Sequence, residues 1–148
     1  MGDILIRHPH ANDRDDLSNL MYEYIVDFYK RPAPPVERVH GLIEVLQEGR
    51  EGTQFVAERD GKLVGFATLY YTYSTLSAQK SAVMNDLYVV ETERGTGAAA
   101  ELFEACRKHV QDNGFAFMSW ETAADNTRAQ KFYDKMGGQA GDWITYSI

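Results

Sequence analysis

The stretch that decides how this chain is read is Met84-Asn85-Asp86-Leu87-Tyr88-Val89-Val90-Glu91-Thr92-Glu93-Arg94-Gly95-Thr96-Gly97-Ala98-Ala99. Met84 to Val90 has the composition of a strand, and the segment that follows, Ala98 to Val110, carries apolar residues at 99, 102, 103, 106 and 110, the spacing of one helix face. Glu91 to Gly97 therefore joins a strand to a helix. Gly95 and Gly97 let backbone N–H groups close on an anion, the helix N-terminus adds unpaired donors and the positive end of its dipole, and Arg94 adds full charge. Such a loop suits a pyrophosphate, and hence a nucleotide-type cofactor.

Spacing excludes two familiar phosphate cradles. A Walker loop requires a lysine after its glycines, and a dinucleotide fingerprint requires Gly-x-Gly-x-x-Gly; neither is present. What remains, Arg94-x-x-Gly97-x-Ala99, resembles the acetyl-CoA loop of the GNAT family of N-acetyltransferases. A second segment, Asn126-x-x-Ala129-x-x-Phe132-Tyr133-x-x-x-Gly137, resembles another signature of the same family, in the right order and at the right distance. With Asp86-Leu87-Tyr88-Val89 before the loop, the resemblance spans residues 53 to 138. Gly65 to Leu76, and Tyr22 to Tyr29 followed by Arg31-Pro32, look more narrowly like the branch of diamine, thialysine and Hpa-type acetyltransferases.

The bulk properties agree with an ordinary globular protein. The 148 residues read as one acetyltransferase domain over 1–148, with 44% hydrophobic and 25% charged residues. No apolar run approaches the ~18 residues of a membrane span. The first residues lack the basic and apolar regions of a signal peptide, and the single Cys106 falls on the apolar face of a helix; the expectation is a cytoplasmic protein with a core thiol. A net charge of −7 argues against nucleic acid and favours cationic ligands, although solubility alone accounts for it too. The four histidines form no ligating pattern, so no metal is expected.

Along the chain, Ile4–Arg7 reads as a strand. Asn12 or Asp13 caps a helix whose Leu17, Leu20, Met21, Tyr24 and Phe28 share a face, and Lys30 to Pro35 ends it. A second helix covers Val36–Glu48. Thr53–Arg59 and Lys62–Thr72 flank an Asp60-Gly61 turn, the clearest hairpin signal. Strands are expected at Lys80–Val90, Ala116–Thr122 and Trp143–Ile148, and a helix at Thr127–Met136. This order gives an α/β domain with a mixed sheet. The resemblance adds that the sheet is mostly antiparallel, flanked by helices, and splayed between its fourth and fifth strands.

The resemblance also assigns roles. Leu87, Tyr88, Val89, Arg94, Gly95, Thr96, Gly97, Ala98, Ala99, Asn126 and Phe132 would hold acetyl-CoA, with Leu87 and Val89 bonding the pantetheine arm. Tyr133 would protonate the departing sulfur. An alkyl amine near pKa 10.4 is nucleophilic in only about one molecule in 2,500 at pH 7, so a base is required. Asp86 is the choice for it, the alternative being a surface carboxylate. Related diamine-acetylating enzymes carry Glu-Asp where this chain has Asn85-Asp86, which weakens the case for strict polyamine specificity. Glu23, Tyr24, Asn85 and Glu121 are the candidates for the acceptor pocket; equally, Tyr24 packs the core and Glu23 faces water. Gly138 stands where relatives usually have an aromatic residue. The expected reaction moves an acetyl group to a primary amine: a small amine, an amino-acid-like compound or a lysine side chain. A catalytically inactive CoA-binding sensor is the other reading, and a homodimer is the expected assembly.

Overall fold

A computed structural model describes residues 2–148. Five strands form one sheet in the order β1-β2-β3-β4-β5: β1 (Leu5–Arg7), β2 (Gly52–Arg59), β3 (Lys62–Ser74), β4 (Gln79–Val89) and β5 (Met118–Ser119). The first three pairings are antiparallel and β4 with β5 is parallel. The helices are α1 (Arg14–Tyr22), α2 (Val36–Glu48), α3 (Ala98–Asp112) and α4 (Thr127–Lys135). α1 continues without a break into a π-helical turn, Glu23–Phe28, in which Tyr29 N–H reaches back to Tyr24 C=O at 3.1 Å.

The sheet is packed on both faces. On one lie α1 and α2, with Leu17, Leu20, Met21, Val39 and Ile43 against Val56, Leu63, Phe66 and Tyr88. On the other lies α3, with Leu102, Phe103, Cys106 and Val110 against Phe55, Ala57, Ala67, Leu69, Ala82, Met84 and Val89. Cys106 is fully buried, as its place on the helix face implied, and burial pushes its thiol up to about 12. The Asp60-Gly61 turn has φ of 52° and 77°, the left-handed pair that a two-residue hairpin turn demands.

Alternation along β4 is broken once. Leu69 faces Met84 and Thr68 faces Asp86, so Asn85 is an extra residue, a β-bulge. Ala82 and Met84 point to the α3 side, and strict alternation would send Asp86 with them. The extra residue reverses the parity: Leu87 and Val89 face α3, while Tyr88 and Asp86 turn to the side of α1. β4 and β5 are paired only at Ala82–Met118 and Val83–Ser119, before the bulge. Beyond it the two strands separate.

Two expected strands are corrected. Ala116–Thr122 contracts to Met118–Ser119, because past Ser119 no β4 backbone lies alongside. Trp143–Ile148 forms no strand: a strand needs a partner edge for its N–H and C=O groups, and the two-residue β5 offers very little. Trp143, Ile144 and Tyr146 are 86, 79 and 89% exposed.

Gly65 sits where β3, the β4 backbone and α3 leave no room for a side chain. A Cβ there would sit 2.7 Å from Tyr88 O and 3.3 Å from Leu102 Cδ1. Gly65→Ala is expected to destabilise the protein by about 1–3 kcal/mol through this overlap, read as a lower urea midpoint with unchanged slope; an unchanged midpoint would show that β4 moves aside freely.

Candidate active site

The loop after β4 is built to expose donors. Gly95 and Gly97 have φ of +84° and +95°, and a Cβ on either would meet nothing within 4 Å, so backbone conformation rather than crowding calls for glycine. Among the described residues, the N–H groups of Gly95, Gly97, Ala98, Ala99 and Ala100 have no backbone acceptor; the first helical bond runs from Glu101 N–H to Gly97 C=O at 3.0 Å. Five donors at a helix N-terminus are the complement of an anion, and the open space above the glycines admits one.

The loop is anchored from beneath. Arg59 Nε donates to both oxygens of Glu93, at 3.2 and 3.0 Å, and both side chains are only about a tenth exposed, 11 and 10%. The guanidinium holds the Glu93 carboxyl below the ordinary carboxylate range. Thr96 donates its hydroxyl to Glu93 C=O at 2.6 Å and its N–H to the same carbonyl at 3.3 Å, so both of its donors are engaged within the loop rather than free for a ligand. The Arg94 guanidinium lies over the Phe28 ring, 5.8 Å from its centroid, joining the loop to the π turn.

Across the sheet from α3, the bulge delivers Asp86 to a pocket of hydroxyls. Its carboxylate accepts from Asn85 Nδ2 at 3.0 Å, and the hydroxyl-bearing Thr68, its register partner on β3, and Tyr24 lie beside it and favour its charged form. Burial pushes the Asp86 carboxyl up and these groups pull it back. Tyr70 shares the pocket; burial and the nearby Asp86 push its phenol up to about 12. Tyr24 is raised as well, through burial first and then through Asp86 and Tyr29, whose ring lies edge-on 5.0 Å away. Glu23 accepts from Tyr88 OH at 2.6 Å. Tyr24 packs edge-on against Phe66 and Tyr88, with Asp86 beside it.

α4 carries the second motif and packs it against the core on the α3 side of the sheet. Asn126 caps the helix, its Oδ1 accepting from Ala129 N–H at 3.1 Å, which leaves the amide nitrogen for a ligand. Phe132 packs edge-on to Phe103, and Tyr133 lies against Trp120, ring centroids 5.3 Å apart. Burial raises the Tyr133 phenol and Tyr29 adds to it, so Tyr133, Tyr29, Tyr24 and Asp86 are electrostatic neighbours in series. Gly138 departs from an aromatic residue for a visible reason: a Cβ there would lie 2.7 Å from Trp120 Cζ2, and the indole already fills the space. Glu121 stands apart, exposed beyond β5, where it accepts from Thr145.

Comparison with known proteins decides the family. The sequence model of the acetyltransferase (GNAT) family matches residues 18–138. This chain belongs to the GNAT family. It is an acetyltransferase, and its relatives agree. YhfO of Bacillus subtilis (strain 168), an uncharacterized N-acetyltransferase, is 29% identical over 132 residues, covering 89% of this chain and 87% of its own. The D-amino-acid N-acetyltransferase HPA3 of Saccharomyces cerevisiae is 32% identical over 76 residues, 51% of this chain and 47% of its own. Among solved structures, the GNAT fold is shared with the aminoglycoside N-acetyltransferase AAC(6')-Iy in complex with CoA, at TM-score 0.87 and 18% identity, covering 100% of this chain and 95% of that one.

Three parts of this GNAT site escaped sequence reasoning: the Arg59–Glu93 pair, the Thr68 hydroxyl and the bulge. The β3–β4 register, which places Thr68 beside Asp86, exposes the last two, and the Arg59–Glu93 pair joins the end of β2 to the loop after β4. Because the Glu93 carboxyl is held low, its contribution is present above the ordinary carboxylate value and is lost as pH falls through the depressed one. Arg59→Ala is expected to loosen the loop and weaken CoA binding roughly tenfold by calorimetric titration, since its donors must then be ordered at the ligand's expense; an unchanged affinity would make the pair irrelevant to the loop.

Proposed function

We propose that this acetyltransferase uses acetyl-CoA to acetylate a primary amine by direct attack. The observation that carries the reading is the set of free N–H donors of Gly95, Gly97, Ala98, Ala99 and Ala100 in the loop that follows β4, a strand paired with β5 only at Ala82 and Val83. Gly95, Gly97, Ala98 and Ala99 would hold the pyrophosphate with Arg94. The unpaired edge of β4 at Leu87, Tyr88 and Val89 would bond the pantetheine arm together with the Asn126 amide, and Phe132 would support that wall. Acetyl-CoA supplies an activated thioester carbon. The chain's own residues do the rest.

Asp86 takes the proton from the incoming ammonium, directly or through water, at a carboxylate whose burial raises its basicity. Tyr133, whose phenol is raised by burial and so stays protonated at neutral pH, donates to the departing sulfur. Glu23, Tyr24 and Asn85 give the acceptor pocket an acidic and aromatic lining that suits a cation. An amine on an amino-acid-like compound fits this lining as well as a diamine does, and a relative named for D-amino acids supports the wider class. The setting we infer is the cytoplasm, without a metal.

We further infer a homodimer. Apolar side chains are exposed at the tip of the β3–β4 hairpin, Tyr73 and Leu76 at 73 and 90%, and at Trp143, Ile144 and Tyr146. A second copy would cover one or both.

Turnover of acetyl-CoA, followed by thiol release across amines, amino acids and lysine peptides, tests the reading. Binding of CoA without release for any amine would favour the sensor alternative. Tyr133→Phe is expected to lower kcat by about 10²–10⁴-fold with acetyl-CoA affinity nearly intact. For Asp86, activity falls as pH drops through the raised carboxyl value, and Asp86→Asn should erase that acidic limb; a limb that survives would assign it to another group. Light scattering should give twice the chain mass, and Trp143→Asp together with Leu76→Asp should reduce it to one; a parent protein that runs at a single chain mass would refute the dimer.

A further inference from the structure

Asp86 is a buried carboxyl with no cation partner. Among the described residues no lysine, arginine or histidine contributes to its charge balance; the neutral groups that favour its charged form are Thr68, its register partner on β3, Tyr24, and Asn85, whose Nδ2 donates to it at 3.0 Å. Behind the first of these stands a residue with no role so far. Gln54 is 1% exposed, on β2, opposite Thr68 in register, as Thr68 is opposite Asp86 on β4. Its Nε2 donates to Thr68 Oγ1 at 3.2 Å and its second proton points toward Met21 Sδ at 3.9 Å. Its Oε1 is buried and has no partner.

That orphaned oxygen is informative. A buried amide left with an unsatisfied acceptor is a burden on stability, and exchanging the two ends of the amide would aim Oε1 at Thr68. The Thr68 hydroxyl would then donate its single proton to Gln54 and have none for Asp86. With Nε2 toward Thr68, the threonine oxygen is occupied as an acceptor and its proton is directed to the carboxylate. Three adjacent strands thus carry one donor chain, Gln54 to Thr68 to Asp86, whose members polarise one another in the same sense.

We propose that Gln54 and Thr68 are positioning residues for Asp86, the amide fixing the threonine hydroxyl as a donor so that the carboxylate is held in one orientation toward the acceptor pocket. The catalytic consequence rests on the reading of Asp86 as the base; the chain itself does not. The other groups facing Asp86 are the phenols of Tyr70 from β3 and Tyr24 from the π turn, with Tyr29 behind Tyr24, while the Glu23 carboxylate is turned to Tyr88. Both phenols that face it are shifted upward, so neither ionises in the range where Asp86 does.

The test is a carbon-13 carboxyl NMR titration of the full-length protein, with the Asp86 resonance assigned by its loss in Asp86→Asn. Thr68→Val keeps the shape and removes the donor; the Asp86 midpoint should rise by about one to two pH units, the worth of one hydrogen bond to a charge. Thr68→Ser should return it to the parent value, and Gln54→Leu should give a smaller rise in the same direction. A midpoint unmoved in Thr68→Val, or not restored in Thr68→Ser, overturns the proposal; should the valine variant fail to fold, Gln54→Leu and Thr68→Ser decide it by the same readout. The acidic limb of kcat/KM, measured on the same variants, separates the two readings. If the NMR midpoint moves and the limb does not, the donor chain stands and Asp86 is not the base; if the limb exists and the midpoint stays, Asp86 is the base without this chain.

Discussion

One additional residue in β4 governs the site. Were Asn85 paired in regular alternation instead of bulged, Asp86 would project into the apolar core beneath α3, and Leu87 and Val89 would face α1. A carboxylate among Leu102, Phe103 and Met84 would be protonated or expelled. With the bulge, the same sequence places the acid on the polar side and keeps the apolar residues against α3. The bulge also marks where β4 parts from β5, so the gap and the carboxylate beside it share one cause.

Two carboxylates of this region are handled differently, and the difference follows from what each has to do. Glu93 holds a loop in place, and a fixed charge serves best, so Arg59 binds both its oxygens and keeps it ionised. Asp86, in the proposed reaction, has to exchange a proton. A guanidinium beside it would pin its charge and abolish its basicity; hydroxyls and an amide stabilise the anion less, leaving burial to raise it. The tyrosines around it stay neutral for the same reason: they share its desolvated surroundings.

Local signals were legible in the sequence where the physics is local. The Asp60-Gly61 turn, the helix after the glycine loop and the helix that starts at Thr127 each depend on a few neighbouring residues, and each stands where the sequence implied. Leu87 and Asp86 on opposite faces, by contrast, depend on a register between β3 and β4 that no single strand encodes. Trp143 to Ile148 has strand-like composition, and composition cannot supply a partner edge. Glu121 was grouped with the acceptor pocket because β5 was read as seven residues long; once it ends at Ser119, Glu121 belongs to the surface near Thr145. Arg59 and Glu93 are 34 positions apart, beyond any periodicity.

The π turn at Glu23–Phe28 follows α1 directly and carries Glu23, Tyr24 and Phe28, the wall opposite the carboxylate and the ring beneath Arg94. A π turn contains one residue more than the α turn it replaces. Its backbone bonds can pass to the tighter spacing by handing that residue on toward Tyr29, while Leu17, Leu20 and Met21 stay seated in the core. The helix therefore has a built-in length adjustment of one residue on the side of the proposed acceptor pocket only, and relatives with the same core would differ in the size of molecule they admit by where along this wall the surplus residue resides.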